Sequence, residues 1–321
     1  MPEYPEFPSN QSPNYEDEID LRKLIKVLWQ GKLWIIGTTF IAAVMSVAIA
    51  LWLPNIYRAE ALLAPTDEGG EGGLSSLAGR YGGLASLAGI SLPAGESTEK
   101  AIGIAKLRSR QFMANFMERH NILPELMAAS SYNVNTGELS YDPTIFDPET
   151  RIWTRDVEPP LQPKPSYQQA FEVMRGIMSV TEDIDTGFVT VSIEHLSPLI
   201  ANEWVTQLVD DLNMEMMLEA TAEAQQSIDY LTDQLEKTQL VALEQVFYAL
   251  IEEQTKTIML ANSRAEYLFK TIDPAIVPER RAQPDRALIC IIGTLLGGML
   301  SVLGVLIWHY AFRMQRKPSS V

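Results

Sequence analysis

Two uncharged apolar stretches constrain the fold of this chain more than any other feature of its sequence. Residues 33–53 and residues 287–308 contain no charged side chain. About twenty apolar residues in a helix cover a bilayer core roughly 30 Å thick. We therefore predict transmembrane helices at 33–53 and 287–308, with one large domain at 54–286 between them. The first stretch is too long, and too far from the amino terminus, for a cleaved signal peptide.

Basic side chains predict the orientation of these two helices. Lysine and arginine favour the cytoplasmic side of a membrane. Four of them precede the first stretch: Arg22, Lys23, Lys26 and Lys32. We therefore expect cytoplasmic tails at 1–32 and 309–321 and an extracytoplasmic domain at 54–286. Three basic residues on the outer side of the second stretch oppose this orientation: Arg280, Arg281 and Arg286. The first helix usually dominates the choice of orientation.

The charge and the cysteine content limit which ligands the middle region can bind and what can stabilise it. The chain carries a formal net charge of −16, and residues 54–286 hold 18 basic and 35 acidic side chains. A surface this acidic argues against binding to nucleic acid or to anionic lipid. Cys290, the only cysteine, lies inside the second stretch. We therefore expect packing or neighbouring subunits, and no intrachain disulfide, to stabilise the domain.

The patterning of the middle region predicts an α+β fold. Residues 199–272 contain no glycine or proline, and apolar residues recur there every three or four positions. This favours a long helix at 198–238 and a return helix at 242–263, separated by a turn near 236–243. Strands are predicted at 57–65, 179–195 and 267–278, the second as a hairpin around Asp185-Thr186-Gly187. We expect a membrane-proximal α/β base that carries a tall helical hairpin.

The remaining segments give weaker signals. Residues 97–122 are predicted to form one helix, and residues 166–178 another, whereas the proline-rich stretch 124–165 is predicted to be mostly loop. Residues 16–32 are predicted to form either an amphipathic surface helix or an extension of the first membrane helix. Residues 1–14 show no apolar period and are expected to be disordered.

A repeated Leu/Gly stretch at 72–89 invites comparison with a phosphate-binding loop. Such a loop needs a lysine that reaches the phosphates, and no lysine lies between Arg80 and Lys100. Acidic Glu68 and Glu71 precede the repeat and would repel a phosphate. We interpret it as a segment at the base of the domain, either packed there or disordered.

The sequence contains no pattern typical of a catalytic or metal site. Its three histidines, at 120, 195 and 309, have no partner at metal-ligand spacing, and no zincin, C-x-x-C or G-x-S-x-G pattern occurs. Only nine residues follow Phe312, so we expect no kinase or signalling domain there. The expectation is a protein without enzymatic activity, cofactor or metal.

Several stretches together resemble the Wzz-type polysaccharide co-polymerases, the chain-length determinants of Gram-negative inner membranes. "PNIYRAEALLAP" follows the first span, "TGFVTVSIEHLSP" precedes the long helix, and "FKTIDPAIVPE" leads into the second span. A proline- and glycine-rich signature includes Pro278, Pro284, Gly293, Gly297, Gly298 and Gly304. Three positions depart from the family pattern: Gln283-Pro284-Asp285 stands where the family tends to have Ser-Pro-Lys, and Ser301 stands where it often has glycine.

The resemblance implies a homo-oligomeric ring in the inner membrane. Such a ring sets the length of O-antigen or a similar surface polysaccharide with a Wzy-type polymerase, acting on lipid-linked polysaccharide and forming no bond itself. Other readings are a co-polymerase for capsule or exopolysaccharide export, and a two-span ligand sensor, which the missing output domain disfavours.

Two groups of residues are candidate contact sites. The prolines and glycines of the second-span signature are expected to pack against another helix or the polymerase, because glycine permits close helix approach in lipid. Gly297 and Gly298 are expected to form the notch. One face of the long helix is expected to pack between subunits through Trp204, Leu208 and Leu212. Stacking against a sugar is the second interpretation of Trp204.

Overall fold

The computed structural model describes residues 27–66, 98–237 and 241–313, and it divides into two units. The first comprises Met1–Leu53 and Pro284–Val321, and the second comprises Pro54–Gln283. The helices are α1 (Lys32–Trp52), α2 (Thr98–Leu107), α3 (Arg110–His120), α4 (Leu123–Met127), α5 (Tyr167–Ile177), α6 (Pro198–Lys237), α7 (Val241–Ser263) and α8 (Arg286–Arg313). The strands are β1 (Tyr57–Pro65), β2 (Ala129–Asn133), β3 (Glu138–Tyr141), β4 (Phe146–Asp147), β5 (Ile152–Trp153), β6 (Met178–Glu182), β7 (Val189–His195) and β8 (Phe269–Asp273).

The first unit is a pair of apolar helices, α1 and α8, packed against each other. Both are long and apolar enough to cross a membrane, with mean hydropathy of 2.1 over Lys32–Trp52 and 2.3 over Arg286–His309. Most of their large apolar side chains are exposed. A helix that is apolar on all sides needs either a protein core or lipid around it, so these helices are candidate membrane spans.

The second unit is built on one four-stranded antiparallel sheet with the order β6-β7-β1-β8. Side chains alternate along β1, where Tyr57, Ala59, Ala61 and Leu63 point into the core. This period-two pattern is what buries one face of a sheet. Residues 178–195 form the predicted hairpin, and its turn has Gly187 at φ 71°, which suits a residue without a side chain.

The long helix α6 has two parts with different surroundings. Its first part lies across β1 and β7 and buries apolar residues as far as Met216, whereas beyond that point only Ala224 is buried. The second part packs against α7. The mixed architecture confirms the predicted α+β class, and α6 and α7 lie within one residue of the predicted helix bounds.

Three segments differ from the sequence-based prediction. Residues 124–165 are not mostly loop, because they hold most of α4 and the two small sheets β2–β3 and β4–β5. Their strands are too short to show alternation, and side chains such as Asn133 and Asp147 hold the turns. The predicted helix at 97–122 breaks into α2 and α3 because the Ser109 hydroxyl accepts a hydrogen bond from Phe112 N–H as a helix cap. Strand β8 is shorter than predicted and ends before Pro274.

Two sequence-based expectations lie outside the described residues. These are the Leu/Gly repeat at 72–89 and the tail 1–14. The amphipathic stretch 16–32 is described only from residue 27 onward.

Candidate functional site

The first candidate site is the seam between α1 and α8, which small side chains line. A Cβ atom added to Gly293 would lie 2.5 Å from Ser46 Cβ, and one added to Gly297 would collide with Ala42 Cβ. Both glycines therefore lie where the helices approach most closely. Thr39 and Ser301 meet farther along, with their hydroxyl oxygens 3.5 Å apart. The order of these contacts makes the two helices antiparallel.

The other members of the proline and glycine signature lie off this seam. Gly298 has room for a side chain, since an added Cβ would only touch Thr39 at 3.7 Å, and Gly304 has nothing within 4 Å. The contact of Gly297 and Gly298 with a neighbouring subunit or a polymerase stays a prediction, whereas the close approach of α1 and α8 within the chain involves Gly293 and Gly297. These two are four residues apart and so share one helix face. A matching four-residue spacing, Ala42 to Ser46 in the first span, was the sequence signal that could have revealed this pairing.

Both prolines of the signature lie before the start of α8, outside the helix. Pro284 precedes the helix, whose first turn is capped by Asp285, because its Oδ1 accepts hydrogen bonds from Ala287 N–H at 3.1 Å and Leu288 N–H at 3.2 Å. Pro278 lies in the segment between β8 and α8. Asp285, which departs from the family pattern, thus acts as a helix cap, a role suited to a carboxylate.

The helix pair also forms an open groove of about 710 Å³. Gly31, Trp34, Gly304 and Trp308 line it, so Gly304 contributes to a surface that another apolar group could contact. The predicted contact with a polymerase remains a prediction for this face.

The second candidate group, Trp204, Leu208 and Leu212, lies in the core of the chain itself. Trp204 is 3% exposed, and both leucines are completely buried. The expectation that they pack between subunits is therefore corrected, because they leave no surface for a partner or a sugar. They point toward the sheet since this part of α6 crosses β1 and β7.

A buried histidine accompanies Trp204. The rings of His195 and Trp204 are 5.0 Å apart, and His195 Nε2 lies 3.1 Å from the carbonyl oxygen of Glu125. Ser197 N–H donates to His195 Nδ1 at 3.0 Å, so the neutral ring, which donates through Nε2, satisfies both contacts. Burial lowers the pKa of His195. This arrangement is structural, since both ring nitrogens are used within the chain.

Polar residues on the buried face of α6 were missed by the sequence analysis. Asp211 accepts from Arg119 at 2.8 Å and contacts His120 at 3.0 Å, which ties α3 to α6. Asn213 bonds the backbone of β8. Each of these polar residues interrupts an otherwise apolar stripe of α6. This interruption could have predicted a buried contact, because buried polar groups require hydrogen-bond partners.

The acidic face of α6 is partly neutralised by α2. Lys106 contacts Glu215 at 3.1 Å and Glu219 at 2.5 Å. Burial opposes the charged form of this amine, but the two carboxylates outweigh it and raise the pKa of Lys106. One turn farther along, burial and the nearby Glu223 raise the pKa of Glu99. Among the described residues, no group of acidic, histidine or cysteine side chains could hold a metal ion.

Comparison with known proteins gives one informative match. The family model of the chain length determinant protein, Wzz, matches residues 17–120, about a third of the chain. Among curated proteins, none matches this sequence.

Solved structures that match this chain include two polysaccharide co-polymerases. One is described as a full-length bacterial polysaccharide co-polymerase; it is 14% identical, has a TM-score of 0.39, and the match covers 95% of this chain and 100% of that one. Another is a fragment of WzzB, a polysaccharide co-polymerase from Salmonella Typhimurium, with 14% identity, a TM-score of 0.29, and 71% and 100% coverage.

The fold and the helix pair define a class of protein: an α+β domain inserted between two candidate membrane helices. Within that class, the family model confirms the resemblance to Wzz-type chain length determinants over the matched segment.

Proposed function

We propose that this protein regulates the length of a surface polysaccharide, the O-antigen of lipopolysaccharide, without forming the glycosidic bond itself. The match of residues 17–120 to the chain length determinant family carries this proposal. The matched segment includes α1, β1, α2 and α3, and therefore joins the first apolar helix to the domain that follows it.

The protein acts, in this proposal, from the bacterial inner membrane. Helices α1 and α8 cross the bilayer, the second unit lies in the periplasm, and both termini are cytoplasmic. The basic residues that precede α1 support this orientation through the bias of lysine and arginine toward the cytoplasm. Reporter fusions at each terminus test it, because periplasmic activity of either fusion contradicts the topology.

The working form is a homo-oligomeric ring that contacts a Wzy-type polymerase and lipid-linked polysaccharide. Exposed apolar side chains on α6 and α7 support oligomer formation, because such surface is costly to leave in water. They are Met214, Leu218, Tyr230, Leu243, Val246, Tyr248 and Met259. We assign the subunit contact to these residues in place of the buried face of α6.

The polymerase contact is assigned to the groove side of α8, where Gly304 has open space beside it. Filling this space with Gly304→Leu is expected to change polysaccharide length while the α1–α8 seam stays intact. Gly37→Leu, at a position that also has nothing within 4 Å, is the matched control.

The deciding experiment is deletion of the gene, followed by electrophoresis of lipopolysaccharide. The expected result is loss of the preferred chain length, with polymer still made. Unchanged lipopolysaccharide together with altered capsule or exopolysaccharide would assign the protein to those polymers. Unchanged profiles of every surface polysaccharide would contradict the proposal and favour a ligand sensor.

A further inference from the structure

A second cavity lies within the second unit, largely in the stretch 124–165 that the sequence predicted to be mostly loop. It has a volume of about 400 Å³ and is formed by the end of α3, the start of α4, the two small sheets and the loop before α5. Small-molecule sites typically measure roughly 300–1,000 Å³. No residue of this cavity contributes to the seam, the groove or the exposed hairpin residues described above.

Aromatic rings form one side of the cavity. Phe146 and Trp153 are direct partners across β4 and β5, with ring centroids 5.0 Å apart, and Tyr141 packs edge-on against Phe146 at 5.7 Å. Phe146 is buried, whereas Trp153 is only partly so. A partly exposed indole in a concave site offers a flat apolar face, such as the C–H face of a sugar ring covers.

A carboxylate with unused acceptor capacity stands beside these rings. Tyr141 O–H donates to Glu125 Oε1 at 3.3 Å, while Glu125 Oε2 is buried and has no hydrogen-bond partner among the described residues. Burial, and then the charge of Glu125, raise the pKa of Tyr141 to about 12. The tyrosine therefore stays protonated and oriented at neutral pH. Glu125 lines the cavity, and a carboxylate can accept more than one hydrogen bond, so this side chain is a candidate acceptor for a ligand hydroxyl.

Two cations line the same cavity. Arg151 and Lys164 are both exposed, and neither forms an ion pair or hydrogen bond with a described residue. Most of the described basic residues of α2 and α3, in contrast, form ion pairs with acidic residues such as Glu182, Glu215 or Asp211. The region 54–286 has 18 basic and 35 acidic side chains. Because Arg151 and Lys164 have no acidic partner among the described residues, they give this cavity a local positive charge that favours an anion.

Hydrogen bonds order the backbone near both cations. Arg151 has φ 57°, a left-handed conformation that is uncommon for residues other than glycine. Asp147 fixes its turn by accepting hydrogen bonds from Glu149 N–H at 3.0 Å and the Thr150 hydroxyl at 2.6 Å. Arg155 donates to the carbonyl oxygens of Gln162 and Pro163, immediately before Lys164. These local contacts thus order the backbone segments that carry Arg151 and Lys164.

We propose that this cavity binds an acidic sugar residue, a pyranose that bears a carboxylate. The ring stacks on Trp153, a hydroxyl donates to Glu125, and the carboxylate lies between Arg151 and Lys164. The inference rests on the proposed function in one respect, namely that the protein acts on a polysaccharide. It adds a recognition site for that polymer within each single chain.

Calorimetric titration of the full-length protein in detergent tests the proposal with two trisaccharides, trigalacturonate and its neutral counterpart galactotriose. Trigalacturonate is expected to bind saturably and at least about tenfold more tightly, as a charge-assisted hydrogen bond would give. Arg151→Gln/Lys164→Gln removes this preference. Lys256→Gln/Arg280→Gln, which removes two exposed cations elsewhere in the same unit, leaves it unchanged.

Stacking is tested by Trp153→Ala, which is expected to weaken binding of both trisaccharides, while Trp153→Phe retains most of it. The proposal is overturned if neither trisaccharide binds saturably or if both bind equally. It is also overturned if Arg151→Gln/Lys164→Gln keeps the preference for trigalacturonate. Equal competition by tartrate, a carboxylate without a pyranose ring, also overturns it, since any small anion would then suffice. The two proposals can fail separately. If the deletion strain loses chain-length control but the purified protein binds neither trisaccharide, this inference fails and the proposed function stands.

Discussion

The side chain of Asn213, in the middle of α6, donates a hydrogen bond to the carbonyl oxygen of Phe269 at 3.0 Å. Its own oxygen accepts from the N–H groups of Leu268 and Phe269, both at 2.9 Å. One buried amide therefore satisfies three backbone groups at the start of β8. This contact fixes the edge strand of the sheet to the long helix.

Replacing this amide should destabilise the domain strongly. Asn213→Leu has a similar volume but leaves three backbone groups without partners, and each buried group left unsatisfied costs roughly 1–3 kcal/mol. We expect a lower free energy of unfolding, measured by denaturant titration of the full-length protein followed by circular dichroism. Asn262→Ala, which removes only an exposed bond to Ile258 within α7, should change it little. Equal effects of the two substitutions would contradict this role.

The Asn213 contact also shows what sequence reasoning could not reach. The long helices and the sheet strands were predictable because their signals are periodic and local, as in the alternation along β1. Asn213 and Phe269 lie 56 residues apart, and no periodicity predicts such a contact. The cavity of Arg151 and Trp153 was hidden for another reason: β4 and β5 have two residues each and show no pattern. Trp204 was misplaced because an apolar stripe looks the same whether it faces a sheet or a subunit.

The buried histidine predicts an acid-sensitive fold. Because burial lowers the pKa of His195 in the folded chain, the unfolded chain takes up a proton first as pH falls below the ordinary value of 6.5. The stabilisation is complete above 6.5 and is lost as pH falls through the folded pKa. Thermal unfolding between pH 7.5 and 5.5 should show a steeper decline for the native protein than for His195→Gln. Parallel declines would exclude His195 as the source.

The α1–α8 seam predicts a specific cross-link. Thr39→Cys and Ser301→Cys, made in a Cys290→Ser background, place two thiols where hydroxyl oxygens are 3.5 Å apart. We expect oxidation to join them within one chain, seen as an intact cross-linked fragment after cleavage between the spans. Adding Gly293→Leu/Gly297→Leu should abolish the cross-link, because each new side chain would collide with α1.

The control for the seam keeps the helices equally apolar. Gly37→Leu/Gly304→Leu adds the same two side chains where nothing lies within 4 Å, so the cross-link should form as before. Loss of the cross-link in both pairs would mean that bulk, and not the position of the seam, decides the packing.

The exposed apolar residues of the hairpin predict where subunits meet. Leu218 on α6 is 57% exposed and Met259 on α7 is 67% exposed. Leu218→Glu/Met259→Glu adds two charges to this surface, and burying an unpaired charge at an interface is costly. We expect a smaller oligomer by mass photometry with an unchanged unfolding temperature. Gln226→Glu/Gln245→Glu adds the same charges at exposed polar positions and should leave the oligomer intact. Trp204→Ala should instead lower the stability of each chain, by roughly 3–5 kcal/mol. If Leu218→Glu/Met259→Glu leaves the oligomer unchanged, subunits meet elsewhere on the chain.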